Sequence, residues 1–182
     1  MQKRSHTLLA QTLLRTESGF GARRFEWAFL FGSFQPDVNP FSYLKGSVRY
    51  HKLKGHNYVN SRQYINAQIR KLQKRNRWTV WQYYTLGKLT HYLADAFTFP
   101  HNEHYPDSLI AHRAYEDALR VYFAEYLQSR TLRLERARRD LTLAIDELHR
   151  KYMETQADVG QDARFILEAN LLLMAGCLPA PA

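Results

Sequence analysis

Apolar residues in this chain recur at helical spacing almost from end to end, and the strict alternation that marks a strand is nearly absent. A chain patterned this way must build its core by packing helices on helices. Ser5 is placed to cap a first helix that ends near Thr16, ahead of Ser18-Gly19, and a second is expected from about Ala22 to Phe31. Residues 31–60 then read as a long irregular segment, with three Gly, two Pro and several Asn. Segments of that kind in compact domains are often functional. A basic helix capped by Asn60 or Ser61 should run to about Asn76, and a longer one from Trp78 to Phe97 should be stopped by Pro100. Asp107 or Ser108 starts another, to about Gln128; residues 130–155 are amphipathic with arginines on the polar side. The last helix, about 160–176, is apolar enough to belong at the centre. With 182 residues and neither an internal repeat nor a low-complexity linker, the expectation is one domain over residues 1–182, an all-α multi-helix bundle of six or seven helices.

The chain carries a net charge of +9, which favours polyanionic partners: nucleic acid, an anionic membrane surface or a phosphorylated substrate. Its single cysteine, Cys177, rules out an internal disulfide framework and a thiolate zinc site. A metal would have to be held by His, Asp and Glu. The start, MQKRSHTLLAQTLL, lacks a long apolar region and a small-residue cleavage site, and no run reaches 18 apolar residues. A cytoplasmic location is expected.

Six of the eight histidines fall between positions 51 and 112. His91 and Asp95 stand at i and i+4, which places an imidazole and a carboxylate on one helical face a turn apart. His101 follows just past Pro100, and His112 with Glu116 repeats the pair on the next helix. Such side chains can converge on one zinc ion. Spacing alone does not separate ligands from core histidines, because eight His and seventeen acids give roughly 0.7 such pairs by chance. The context of Asp95 weighs further. It ends an otherwise apolar face (Leu86, Leu89, Leu93), where an unpaired carboxylate would be costly.

The stretch LGKLTHYLADAFTFPH resembles the core motif of the zinc-dependent phospholipase C family, which shares its fold with the P1/S1-type nucleases. That motif is His, three residues, Asp, five residues, His, then a downstream His-x-x-x-Glu/Asp. His91, Asp95, His101, His112 and Glu116 match it in order. FGSFQPD supplies Asp37 in a Gly-x-x-x-Pro-Asp setting, and His6 stands where the family has an N-terminal histidine. The family also needs a histidine between the Asp37 loop and the next helix, which His51 or His56 could provide.

The resemblance implies two or three zinc ions: one held by Asp37, His51 or His56, His91 and Asp95, and a second by His101, His112 and Glu116. A third would be shared through Asp95 with His6 and the chain's own amino terminus. It further implies a phosphodiesterase acting on a phospholipid, with water activated by zinc and Asp37 as general base. A nuclease acting on single strands and a zinc-stabilised scaffold that binds anions without turnover are the alternatives. Four further features carry expectations. His104 is taken as exposed or substrate-facing, and His149 as solvated. Trp78, Trp81, Tyr83 and Tyr84 are taken as core rather than a stacking platform, and residues 130–140 as a solvated basic face.

Overall fold

The computed structural model describes residues 1–16, 20–38, 58–102, 109–134, 140–156 and 158–179. Among them are seven α-helices and no strand: α1 (Lys3–Thr16), α2 (Arg23–Val38), α3 (Tyr58–Gln73), α4 (Val80–Ala96), α5 (Leu109–Gln128), α6 (Leu141–Met153) and α7 (Val159–Cys177). A 3-10 turn, Phe99–His101, separates α4 from α5. The helical reading of the pattern therefore holds. No described helix is long and apolar enough to cross a membrane.

Helix starts follow from short polar side chains. Thr79 caps α4 in a reciprocal box with Gln82, whose side chain accepts from the Thr79 amide at 2.9 Å. Asp140 and Asp158 accept the free amides at the starts of α6 and α7. The basic run after α5 is not one helix with α6. Residues 130–134 are non-helical, and α6 begins only after the Asp140 cap. Pro100, expected to stop α4, lies inside the 3-10 turn that follows it.

The largest departure is α2. It continues seven residues past Phe31 and takes in Pro36, so Asp37 sits on its last turn rather than in an irregular loop. Proline removes one amide donor, and a helix survives that near its end, where few bonds remain to be lost. Burial supplies the compensation. α2 runs alongside α4 over its whole length, with Gly32 and Gly87 letting the two backbones touch. Both helices point the same way: Phe25 stacks on Tyr83 near one end, and Ser33 meets His91 nearer the other.

The apolar α7 is central, as its composition foretold. It packs against α1, α3, α4, α5 and α6. Around it Leu9, Leu13, Leu86, Leu93, Phe97, Phe123 and Ile145 are fully buried, as is its own Leu173, each worth about 2 kcal/mol of transfer free energy. Cys177 is part of this core, and burial pushes its thiol up to about 12, which keeps it protonated and inert.

The expectation of a solvated His149 fails. Its ring is buried, stacked on Tyr58 at 3.7 Å, and edge-on to Phe97 at 5.3 Å. Tyr58 also donates to Asp146, which holds Arg62 in a two-pronged pair at 2.8 and 2.6 Å. Burial lowers the His149 imidazole to about 4 from its ordinary 6.5. Because the folded state resists protonation there, stability should be intact above pH 6.5 and drain away between 6.5 and 4. The loss is on the order of 3 kcal/mol. His149→Phe, which keeps an aromatic ring in the stack, is expected to flatten that part of the dependence. Denaturant unfolding at a series of pH values measures it, and an unchanged slope would show that His149 does not carry it.

Candidate metal centre

Five elements bring the predicted side chains to one place. α1 contributes His6, α2 Asp37, α4 His91 and Asp95, the 3-10 turn His101, and α5 His112 and Glu116. Two compact groups result: His6, His91 and Asp95, all buried, and His101, His112 and Glu116, half-buried. In each group one ligand-capable atom per residue lies within 4.8 Å of the others.

In the first group, His6 Nε2 lies 3.2 Å from Asp95 Oδ1 and His91 Nε2 3.2 Å from Asp95 Oδ2. The His6 and His91 rings stack at 3.8 Å. His91 Nδ1 sits 3.0 Å from the Ser33 carbonyl. A carbonyl only accepts, so this bond needs the proton on Nδ1 and leaves the Nε2 lone pair facing the carboxylates. Asp37 Oδ1 is 3.7 Å from the same Nε2. In the second group, Glu116 Oε1 is 3.1 Å from His101 Nε2 and 3.3 Å from His112 Nε2.

The Met1 amino group stands between the two groups. It lies 2.8 Å from Asp95 Oδ1, 3.0 Å from Glu116 Oε1 and 2.8 Å from His101 Nε2. His6 and the amino group face the same Asp95 oxygen, Oδ1, at 3.2 and 2.8 Å, and His6 also stacks on His91.

The electrostatics follow from burial and from this crowding. Burial lowers His6 to about 3, helped by the neighbouring His91. Burial also lowers His101. Both imidazoles are therefore neutral with lone pairs to offer. Burial works against an ionised Asp95, yet the terminal ammonium beside it holds its carboxyl well below the usual range. Glu116 is held down in the same way, chiefly by His101 and the ammonium, against its burial. Asp37 goes the other way: burial raises it to about 6.

These groups fit a divalent cation. Ligand atoms that share one tetrahedral zinc at about 2.0–2.1 Å stand roughly 3.3 Å apart. The nitrogen–oxygen separations within the two groups run from 3.1 to 3.3 Å. Among the described residues neither His6 Nδ1 nor Asp37 Oδ2 has a hydrogen-bond partner, although both are buried. Buried polar atoms left so are costly unless something else satisfies them. Neutral imidazoles and ionised carboxylates are also the protonation states a metal requires.

His51, His56 and His104 lie outside the described residues. The structure adds a residue that carried no sequence signal. Asp162, 1% exposed, looks on the page like an acid in the first turn of α7, where the helix dipole alone would explain it. Instead it accepts from the Phe99 amide at 2.9 Å, the Tyr115 hydroxyl at 3.0 Å and the Tyr152 hydroxyl at 2.7 Å. It thereby ties the turn carrying His101 to the helix carrying Glu116. Asp162→Asn replaces one acceptor oxygen by a donor, and an unmatched buried donor costs about 1–3 kcal/mol. We expect that loss in denaturant unfolding, with about 10–100-fold weaker binding of a divalent metal by the His101 group in a titration. Wild-type values for both would show that the three bonds are dispensable.

A family model described as zinc dependent phospholipase C matches residues 5–159. No curated protein and no solved structure matches the chain.

Proposed function

Because the chain belongs to the zinc dependent phospholipase C family, we propose that it is a phosphodiester hydrolase that releases diacylglycerol from a phospholipid. The observation that supports this most is the pair of His/carboxylate groups at zinc-ligand separations, set side by side with Asp95 and Glu116 both within 3.0 Å of one amino group. His6, His91 and Asp95, with Asp37 beside them, would hold one zinc, and His101, His112 and Glu116 another. His51 and His56 remain candidates to complete the first set. Bound there, zinc supplies charge neutralisation for the phosphodiester and a nucleophile from water near neutral pH.

The chain's own residues do the rest. Ser33 fixes the His91 ring by its carbonyl. Asp37, raised to about 6, is mostly ionised at neutral pH and still basic enough to take a proton. Its Oδ2 has no hydrogen-bond partner among the described residues, so it is available to the attacking water. Asp37 is therefore the proposed general base.

The experiment is to load the protein with zinc, confirm the metal content, and assay phosphocholine esters, other diesters and single-stranded nucleic acid. Release of phosphocholine that chelation abolishes and zinc restores is expected. A fully metallated protein that cleaves no diester would sink the proposal in favour of a scaffold. Preferential digestion of single strands would move it to the nuclease.

A further inference from the structure

Eleven large hydrophobic side chains are exposed among the described residues, and six of them, Trp27, Phe31, Val38, Tyr64, Val80 and Trp81, belong to the neighbouring helices α2, α4 and α3. Trp27 and Trp81 are the extreme members of this set at 70% and 71% exposed. Helical spacing puts Trp27, Phe31, Phe34 and Val38 in one row on α2, and Trp81, Tyr84, Lys88 and Tyr92 in one row on α4. The Phe31–Tyr84 ring contact at 5.9 Å joins the rows, while Phe31 to Phe34 at 5.6 Å and Trp81 to Tyr84 at 6.3 Å run along them. Tyr64 closes the far side against Tyr92 at 5.5 Å.

We propose that this aromatic face of α2, α4 and α3 is the surface by which the protein docks on an anionic phospholipid bilayer. Charge supports the choice of partner. No acid occupies either row; Arg23 and Arg24 stand one turn before Trp27, with Glu26 half-buried beside them. The Lys88 ammonium lies 5.6–5.9 Å from the ring centroids of Tyr64, Tyr84 and Tyr92, and Lys3 lies 4.8 Å from that of Phe34. Exposed indoles flanked by cations suit the level of lipid headgroups, where one side of the ring is apolar and the other wet. A contiguous apolar face on a soluble fold also calls for a partner. Orientation gives a further reason. Because α2 and α4 run parallel, the two tryptophans mark one end of the face, and Asp37 and His91 lie about 15 Å along the same helices. A docked bilayer would then run alongside the metal centre. That orientation rests on the phospholipase reading, whereas the docking itself does not.

The test sediments the zinc-loaded protein in the cold with vesicles of phosphatidylcholine alone or mixed with phosphatidylglycerol. Binding should be stronger to the mixed vesicles, and tryptophan emission should shift to the blue as Trp27 and Trp81 leave water. Trp27→Ala and Trp81→Ala should each weaken binding about tenfold and the pair about a hundredfold. Val121→Ala with Leu143→Ala, exposed apolar residues elsewhere, should leave it unchanged. Hydrolysis of a water-soluble phosphocholine ester should persist in the double tryptophan variant and shows that the variant is folded. Undiminished vesicle binding by that variant, or a face that pairs two copies of the chain and ignores vesicles, overturns the docking proposal while leaving the phospholipase reading standing. Tryptophan-dependent docking in a metallated protein that cleaves nothing would do the reverse.

Discussion

Asp95→Asn is expected to lose at least one bound zinc and to lower kcat/KM on a phosphodiester by about 10³-fold or more. Asp95 belongs to the first group of candidate ligands and meets the second through the Met1 amino group, which also touches Glu116 and His101. Its Oδ1 faces His6 at 3.2 Å and the Met1 amino group at 2.8 Å, while its Oδ2 faces His91 at 3.2 Å. Asparagine keeps the shape and one acceptor oxygen but removes the charge. Three buried groups then lose the anion that compensates them, and a cation placed among neutral imidazoles is held less tightly. Zinc content by elemental analysis and initial rates at matched metal loading check the two parts separately. Asp95 is 2% exposed, so the change also touches stability in the absence of metal. Glu116 still pairs with the ammonium at 3.0 Å, which limits that cost and should leave a folded protein to measure. A variant that binds as much zinc as the wild type would refute the placement of a metal at Asp95.

Gly87→Ala should cost about 3 kcal/mol of stability, at the upper end for added bulk in a packed interface. A methyl group there would be driven into the Phe29 carbonyl and to 3.0 Å from the Ser33 amide. Gly32→Ala meets the same obstacle from the opposite side, in the Tyr84 carbonyl and, at 3.1 Å, the Lys88 amide. Backbone atoms within a helix cannot swing away as a side chain can. The whole interface between α2 and α4 must open. Alanine gains about 1 kcal/mol in helix propensity over glycine, too little to offset this. Gly176→Ala is the control, since its methyl meets only the Leu141 side chain, which can rotate. It should cost under about 1 kcal/mol. Urea unfolding of the three variants gives the comparison. Because Ser33 and Asp37 ride on α2 and His91 on α4, the Gly87 variant should also weaken zinc binding in the first group. Wild-type stability for Gly87→Ala would mean that the helices do not pack at this distance.

Which features were legible before folding is instructive residue by residue. The i, i+4 pairs His91–Asp95 and His112–Glu116 were visible because helical geometry is local and places such residues on one face whatever surrounds them. The central place of α7 was visible because a helix with so broad an apolar surface must bury it against several neighbours. The end of α2 was misplaced because Pro36 is read locally as a breaker, whereas packing on α4 carries the helix two residues beyond it. His149 was misplaced for a similar reason. A histidine among arginines reads as solvated, but Tyr58 and Phe97 come from distant helices to bury it.

The sequence by itself determined the helical class and the kinds of side chain available to a metal, because periodicity and residue chemistry are properties of short stretches. Only the tertiary structure set the distances at which those side chains meet. It put His6 with His91 and Asp95, set the Met1 amino group against Asp95, Glu116 and His101, and made Asp162 the tie between the turn of His101 and the helix of Glu116. These groupings join residues up to 115 positions apart, Met1 and Glu116. Their distances are fixed by how seven helices pack, and no local pattern encodes that.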